Sequence, residues 1–285
     1  MINALLLAIV VVSINAQNIC KKEYNKRGGR GAFTFSAACS FISMIFFIVM
    51  LGGRFEYELG VFWYSIVFSV SFTFAMAFSY LAIATGPLSL TALINGYSLI
   101  IPTVYGLVAL NEPIRVTLFI GIALLVVSLL LVNLKKREDG KRINFKWGVY
   151  VTLAFLGNGI CSCAQKAQQT VYLGAMKNEF MIVALAITTL SMLTVALISE
   201  RKTMLNDLRR GIGYYSVSGI ANGAVNLFVM VLSASMSASV MFPIMSAGGI
   251  IISTLVSLFV YREKLNFAQI VGVLLGIGAI VALNL

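Results

Sequence analysis

Nearly all the side chains in this 285-residue sequence that could bind a molecule from inside its apolar runs are uncharged amides and hydroxyls. Asn15, Asn18 and Lys22 recur at i, i+3 and i+7, on one face of a helix. Asn158, Ser162, Gln165 and Lys166 trace a comparable stripe further along, and Asn222 and Asn226 form an i, i+4 pair. Tyr80, Asn95, Tyr97, Ser98 and Ser246 complete the set. Amides and hydroxyls make and release hydrogen bonds without covalent change, so this constellation suits reversible contact with a polar solute. Left unpaired in hydrocarbon, each such group costs kilocalories, so it must face a cavity or another helix. Asn15, Asn18, Tyr80, Asn95, Asn158, Ser162, Asn222, Asn226 and Ser246 are therefore candidate substrate contacts. For Asn222 and Asn226 a helix-to-helix bond is equally open, and Tyr80, at a helix end with Thr73 two turns away, also suits an interfacial anchor. Lys22 and Lys166 occupy similar places in their stripes. Each ammonium either snorkels to headgroups or meets a carboxylate or phosphate at a cavity mouth, and with Tyr97 these two are candidate gate or anion contacts.

Reactive constellations are missing. There is no histidine, and the central thirds of the apolar runs hold no Asp or Glu, which speaks against proton coupling through a midplane carboxylate. Cys20, Cys39, Cys161 and Cys163 lie in or beside apolar runs as small fillers, and the Cys161-Ser-Cys163 spacing is poor for a metal, so neither metal nor cofactor is expected. No Walker-type phosphate loop occurs. An intramembrane enzyme would need paired carboxylates, a metal cluster or a nucleophile with its base. A channel or scaffold would call for a charged ring or an oligomer seam.

The elements that must hold these groups follow from composition. With 60% hydrophobic and 11% charged residues and a mean hydropathy of +0.96, the chain exceeds what a water-facing surface tolerates. Apolar runs span approximately Ile2 to Cys20, Ala32 to Leu51, Val61 to Ala84, Leu88 to Leu110 and Ile114 to Leu134. A second set spans approximately Trp147 to Ala167, Phe180 to Ser199, Ile212 to Ala234, Ser237 to Val260 and Leu265 to Leu285. A bilayer core of about 30 Å takes roughly 20 apolar helical residues, so each run is one crossing. The first begins without a basic leading region and is followed by no small-x-small cleavage pattern, so it is expected to stay as a helix. Leu107 to Leu134 lies over Leu258 to Leu285 at an offset of about 151 positions, matching Leu107, Glu112, Gly121, Leu124, Asn133 and Leu134 with Leu258, Glu263, Gly272, Leu275, Asn284 and Leu285. A repeat of five crossings emerges on the opposite side, so the second copy runs upside down. The expected fold is all-α: a polytopic membrane protein of ten transmembrane helices in two inverted five-helix repeats, residues 1–134 and 147–285, joined by a basic loop, 135–146.

The layout resembles a known family. Ser79 to Pro87 (SYLAIATGP), a span with Asn95, Pro102 and Gly106, then Asn111-Glu112-Pro113 and a span with Gly121 look like the EamA-like branch of the drug/metabolite transporter superfamily. Tyr214-Tyr215, Ser233 to Ser239, Arg262-Glu263-Lys264 and the Gly272 span fill the matching places in the second copy. The tryptophan-glycine opening frequent in that family's repeats survives only as Trp147-Gly148. The resemblance implies a secondary transporter of a small polar or amphipathic metabolite, with an amino acid or related compound, exported, as the preferred solute. A channel, or a multidrug or nucleotide-sugar exchanger of the same fold, is the alternative.

Of 21 basic residues, 17 fall on one side of the ten expected crossings: Lys21, Lys22, Lys26, Arg27 and Arg30; Lys135, Lys136, Arg137, Lys141, Arg142 and Lys146; Arg201, Lys202, Arg209 and Arg210; Arg262 and Lys264. Six acids share that side, which leaves the whole formal charge of +11 there. The positive-inside rule makes that side cytoplasmic and puts both termini outside, whereas the resembled family keeps both termini inside. The expected location is the plasma membrane, the inner one in a bacterium. The loop charge suits lipid headgroups and not nucleic acid. Membrane lipid and a small-molecule solute are the expected partners, with monomer and homodimer both open. Glu112 and Glu263 look structural, each ahead of a helix start. Pro102 and Pro243 are expected to bend the fourth and ninth spans, and Gly272 with Gly276 to form a close-packing ridge.

Overall fold

The computed structural model describes residues 2–29, 31–85, 88–113, 116–133, 144–259 and 267–284. Among them every regular element is a helix: α1 (Ile2–Lys26), α2 (Ala32–Leu51), α3 (Leu59–Thr85), α4 (Leu88–Tyr97), α5 (Ile100–Ala109), α6 (Val116–Asn133), α7 (Phe145–Val171), α8 (Lys177–Ser199), α9 (Met204–Ser235), α10 (Ala238–Phe259) and α11 (Phe267–Asn284). Six of them, α1, α2, α3, α7, α8 and α9, are long and apolar enough to cross a membrane, and the remaining apolar helices are shorter within the described residues. Polarity is turned inside out relative to a water-soluble fold. Ser43, Ser65, Ser69, Thr188 and Gln168 are fully buried, whereas Val49, Leu190 and Ile198 stand 69%, 65% and 82% exposed. Such a surface is compatible with a membrane protein.

The helix boundaries have local causes. Between Gly31 and Gly52, α2 has neither proline, glycine nor charge, and Gly52 ends it with φ at +58°, a left-handed turn that glycine adopts without Cβ strain. The fourth expected span is two helices. Pro102 has no N–H to offer the Ser98 carbonyl and its ring crowds that oxygen, so the chain breaks at Ser98 and Leu99. The N–H of Ile101 takes the Ser98 carbonyl at 3.1 Å, and Thr103 returns both its N–H and its hydroxyl to Leu99. Pro243 lies inside α10, which runs on as one helix.

The chain divides into two compact units, Met1–Met76 with Ala164–Ala234 and Ala77–Cys163 with Ser235–Leu285. Neither is a sequence half; each draws on both. In the first unit α2 and α8 lie side by side and antiparallel. Glu200, just past the end of α8, accepts from the N–H groups of Phe33 and Thr34 at the start of α2, at 3.0 and 2.8 Å, and Asn178 at the start of α8 donates to the Met50 carbonyl at the end of α2. Serines join α3 to α8, with Ser65 donating to the Phe180 carbonyl and Ser69 to that of Ala184. From α2, Ser43 donates to the Gly219 carbonyl of α9 at 2.7 Å.

In the second unit α6 and α11 pack closely and run antiparallel. A side chain at Gly121 would lie 2.6 Å from Leu283 and 3.3 Å from the Ala279 carbonyl. Seven residues further along α6, Ser128 donates to the Gly272 carbonyl at 2.6 Å, and a side chain at Gly276 would meet that hydroxyl. The contacts are reciprocal. At the offset of about 151 positions Gly121 maps to Gly272 and Ser128 to Ala279, so each glycine faces the other copy's counterpart of the same position. Leu125, Ala247 and Ala279 form the core between α6, α10 and α11.

Candidate functional site

Each unit contains a chain of hydrogen-bonded amides and hydroxyls. In the second unit it is built on the broken helix. Asn95, three residues before the break, donates from Nδ2 to the Ser79 hydroxyl of α3 at 3.0 Å. Ser98, at the break, gives its hydroxyl proton to the Asn95 carbonyl at 2.6 Å and accepts from Nδ2 of Asn158 on α7 at 2.5 Å. Ser162 turns its hydroxyl back to the Asn158 carbonyl. One atom is left over: Oδ1 of Asn95 is buried and accepts no hydrogen bond from any described group. The loss of α-helical bonding ahead of Pro102 thus links three neutral polar side chains from α4, the break and α7, one of them with its amide oxygen unfilled among the described residues.

A crevice opens on the α6 and α10 side of the same break, lined by Tyr97, Thr103, Val126, Pro243 and Ser246 among others. Its volume of about 10 Å³ admits about one water molecule. Tyr97 donates its hydroxyl to the Val126 carbonyl at 3.0 Å, so the phenol is spent on α6. A larger cleft of about 270 Å³ lies at the start of α10, lined by Pro113, Thr117, Ser237, Ser239 and Leu283. There Glu112, on the segment after α5, accepts from the N–H groups of Ala238 and Ser239 at 2.6 and 2.8 Å. Its carboxylate therefore caps α10, with the missing side chain of Gly106 leaving it room.

In the first unit the chain of amides runs through α9. Asn222 donates to the Ser43 hydroxyl at 3.0 Å, Asn226 donates to the Asn222 carbonyl at 2.9 Å, and Oδ1 of Asn226 accepts from Gln165 of α7 at 2.8 Å. Beside it Lys166 is buried, its Nζ donating to the Ser233 carbonyl at 2.8 Å. The ammonium thus points inward and does not snorkel.

The other sequence candidates stand apart. Asn15 is buried but returns its amide to Val11 in its own helix, and Asn18, three residues on, is exposed, so α1 does not present the two together. Tyr80 is 40% exposed. The side chain of Lys22, and Glu263 altogether, lie outside the described residues. Sequence reasoning did not single out Ser43 and Ser79, the serines that anchor the two networks. A serine in an apolar run has no signature beyond its own polarity. Gln165 was visible in the stripe, as one of three glutamines in the run 165–169, a density of amides unusual for a span.

No family model matches the sequence, and no curated protein matches it. One solved crystal structure superposes with a TM-score of 0.75 over 98% of this chain and 95% of its own, at 13% identity. At that identity the likeness extends to the fold alone.

Proposed function

We propose that this chain is a ten-span membrane protein whose two five-helix halves are inverted repeats, and that it carries a small polar or amphipathic metabolite by alternating access. The observation that carries the reading is the uncharged cluster at the broken fourth span. Irregular backbone at membrane depth is tolerated where it is buried in protein or lines a path, and interrupted helices recur at the solute sites of secondary transporters. Here the break comes with Asn95, Ser98 and Asn158 and with an amide oxygen that no described residue fills. The inverted relation is supported by the antiparallel, reciprocal packing of equivalent spans: α2 with α8 and α6 with α11. Glu112 with Ala238 and Glu200 with Phe33 each join helix ends that ten alternating crossings would bring to one side. Loop charge makes the basic side cytoplasmic. The order of short motifs points to an EamA-like member of the drug/metabolite transporter superfamily. Neutral groups at the site leave the coupling to solute exchange, uniport or a cation, with no covalent step.

A thermal-shift screen of the purified chain against metabolite pools tests this. A solute at about 100 times its Kd stabilises by about 2.7 kcal/mol. The expected result is a pool component that raises Tm in the wild type and not in Asn95→Ala or Asn158→Ala. Shifts that survive both substitutions, or none from any pool, would overturn the site.

A further inference from the structure

The end of α1 carries an arginine pair that the amide clusters do not use. Its last turn closes on Gly28, whose φ of +82° lets the N–H groups of Gly28 and Gly29 return to the Asn25 and Tyr24 carbonyls, each at 3.1 Å. Beneath the turn Tyr24 is buried against Phe35 of α2, with ring centroids 4.9 Å apart, and a side chain at Gly211 of α9 would lie 2.8 Å from the Tyr24 ring. This turn is therefore fixed against both helices. Arg27 lays its guanidinium over the Tyr214 ring of α9, Cζ standing 5.6 Å from the centroid. Arg210 precedes Tyr214 by one turn on the same face of α9 and reaches back to α1, where a side chain at Gly28 would begin 3.8 Å from its Nη1. Both arginines are exposed, and no acid pairs with either guanidinium among the described residues. The acids of this region are turned inward: Glu200 takes the N–H groups of Phe33 and Thr34, and Asp207 is only 3% exposed. Like charges held on one turn repel, and an anion between them offsets that cost. The planar fork of a guanidinium matches two oxygens of a phosphate, so two forks on one rigid turn suit a phosphate group better than a single-point anion. Ile212, two residues past Arg210, is 64% exposed and Val217 54%, so an outward apolar surface begins beside the arginines, at the depth where lipid phosphates lie.

We propose that Arg27 and Arg210, at the Gly28 turn, form a discrete site for a phosphate group, carried by an anionic phospholipid or by a water-soluble phosphate ester. It differs from the general attraction of basic loops to headgroups in needing these two guanidiniums and no others. The site lies twelve residues before Asn222, about 18 Å along α9 at 1.5 Å per residue, and stands whether or not the chain carries a solute.

The test titrates the full chain in a neutral detergent, reading affinity from thermal shift and bound adducts by native mass spectrometry. The probes are phosphatidylglycerol, oleate as a lipid charge without phosphate, glycerol 3-phosphate and inorganic phosphate. Arg27→Gln and Arg210→Gln should each weaken binding of the phosphate probe on the order of tenfold or more. Lysine at either position should recover only part of that loss, because an ammonium keeps the charge and lacks the fork, and the lysine variants decide the matter if a glutamine variant does not fold. Arg201→Gln removes the same charge from the end of α8 and should stay within about twofold of wild type. Phosphatidylglycerol bound at least tenfold more tightly than oleate, with no saturable binding of the soluble phosphates, assigns the phosphate to a lipid. Saturable binding of glycerol 3-phosphate or inorganic phosphate, lost in the same two variants, assigns it to a soluble ester. Oleate bound as tightly as phosphatidylglycerol with no soluble phosphate bound, an Arg201→Gln loss equal to the other two, or no binding of any probe would overturn the site.

Discussion

Replacing Glu112 by alanine tests how the second unit is held. Its two carboxylate oxygens accept from the N–H groups of Ala238 and Ser239, the first two donors of α10. Removing a helix cap costs about 0.5–2 kcal/mol, and a negative charge at a helix start adds about 0.3–1 kcal/mol. The expected loss is about 1–3 kcal/mol, or about 2–6 °C in Tm at roughly 2 °C per kcal/mol for a chain of this size. Glu112→Gln should fall between, because the amide keeps one acceptor and turns a donor toward the other N–H. Gly106 supplies a second arm. A side chain there would lie 2.6 Å from Oε2 of Glu112 and 2.8 Å from Cβ of Ala238, so Gly106→Ala is expected to cost about 1–3 kcal/mol. In a Glu112→Ala background the first clash disappears and the second stays, so the two losses should fall short of additivity by about 0.5 kcal/mol or more. Thermal unfolding by intrinsic fluorescence reads the wild type and the four variants. A Glu112→Ala variant within about 1 °C of wild type, or full additivity, would refute the placement of this carboxylate.

Gly121→Val should destabilise by about 2 kcal/mol or more, since its side chain enters the space of Leu283, whereas Gly148, with nothing within 4 Å, should gain up to about 1 kcal/mol on replacement by alanine; melting curves of the two variants check both signs. Asn226→Leu removes the acceptor of Gln165 and should cost about 1–3 kcal/mol, whereas the exposed Asn18→Leu should stay within about 0.5 kcal/mol of wild type in the same assay. In a background without the four native cysteines, cysteines at Met50 and Asn178 should cross-link and those at Met50 and Glu200 should not, because α2 and α8 are antiparallel. The opposite pattern on gels would make the two helices parallel.

Much of the architecture was legible because it rests on local rules. The apolar runs set the helices, and the ridge of Gly272 with Gly276 is where Ser128 of α6 packs. Pro102 announced a disturbance in the fourth span, yet the break at Ser98 follows from which carbonyl lost its donor, and Pro243, in the second turn of α10, leaves that helix whole. Partners distant in sequence were not legible. Glu112 reads as a structural acid ahead of its own next helix, and only folding brings it to an N-terminus 126 residues away. On α7 the stripe bonds to other helices through Asn158 and Gln165, whereas on α1 Asn15 bonds within its own turn and Asn18 faces outward. Helical spacing says which residues share a face, and packing decides what that face meets.

Solute counterflow in proteoliposomes is the most direct measurement of the central claim. Vesicles loaded with the solute found by thermal shift should take up the labelled compound transiently, with saturation, and Asn158→Ala should lower the initial rate about tenfold or more. Uptake that rises without saturation, shows no counterflow and is indifferent to Asn158 would contradict the account.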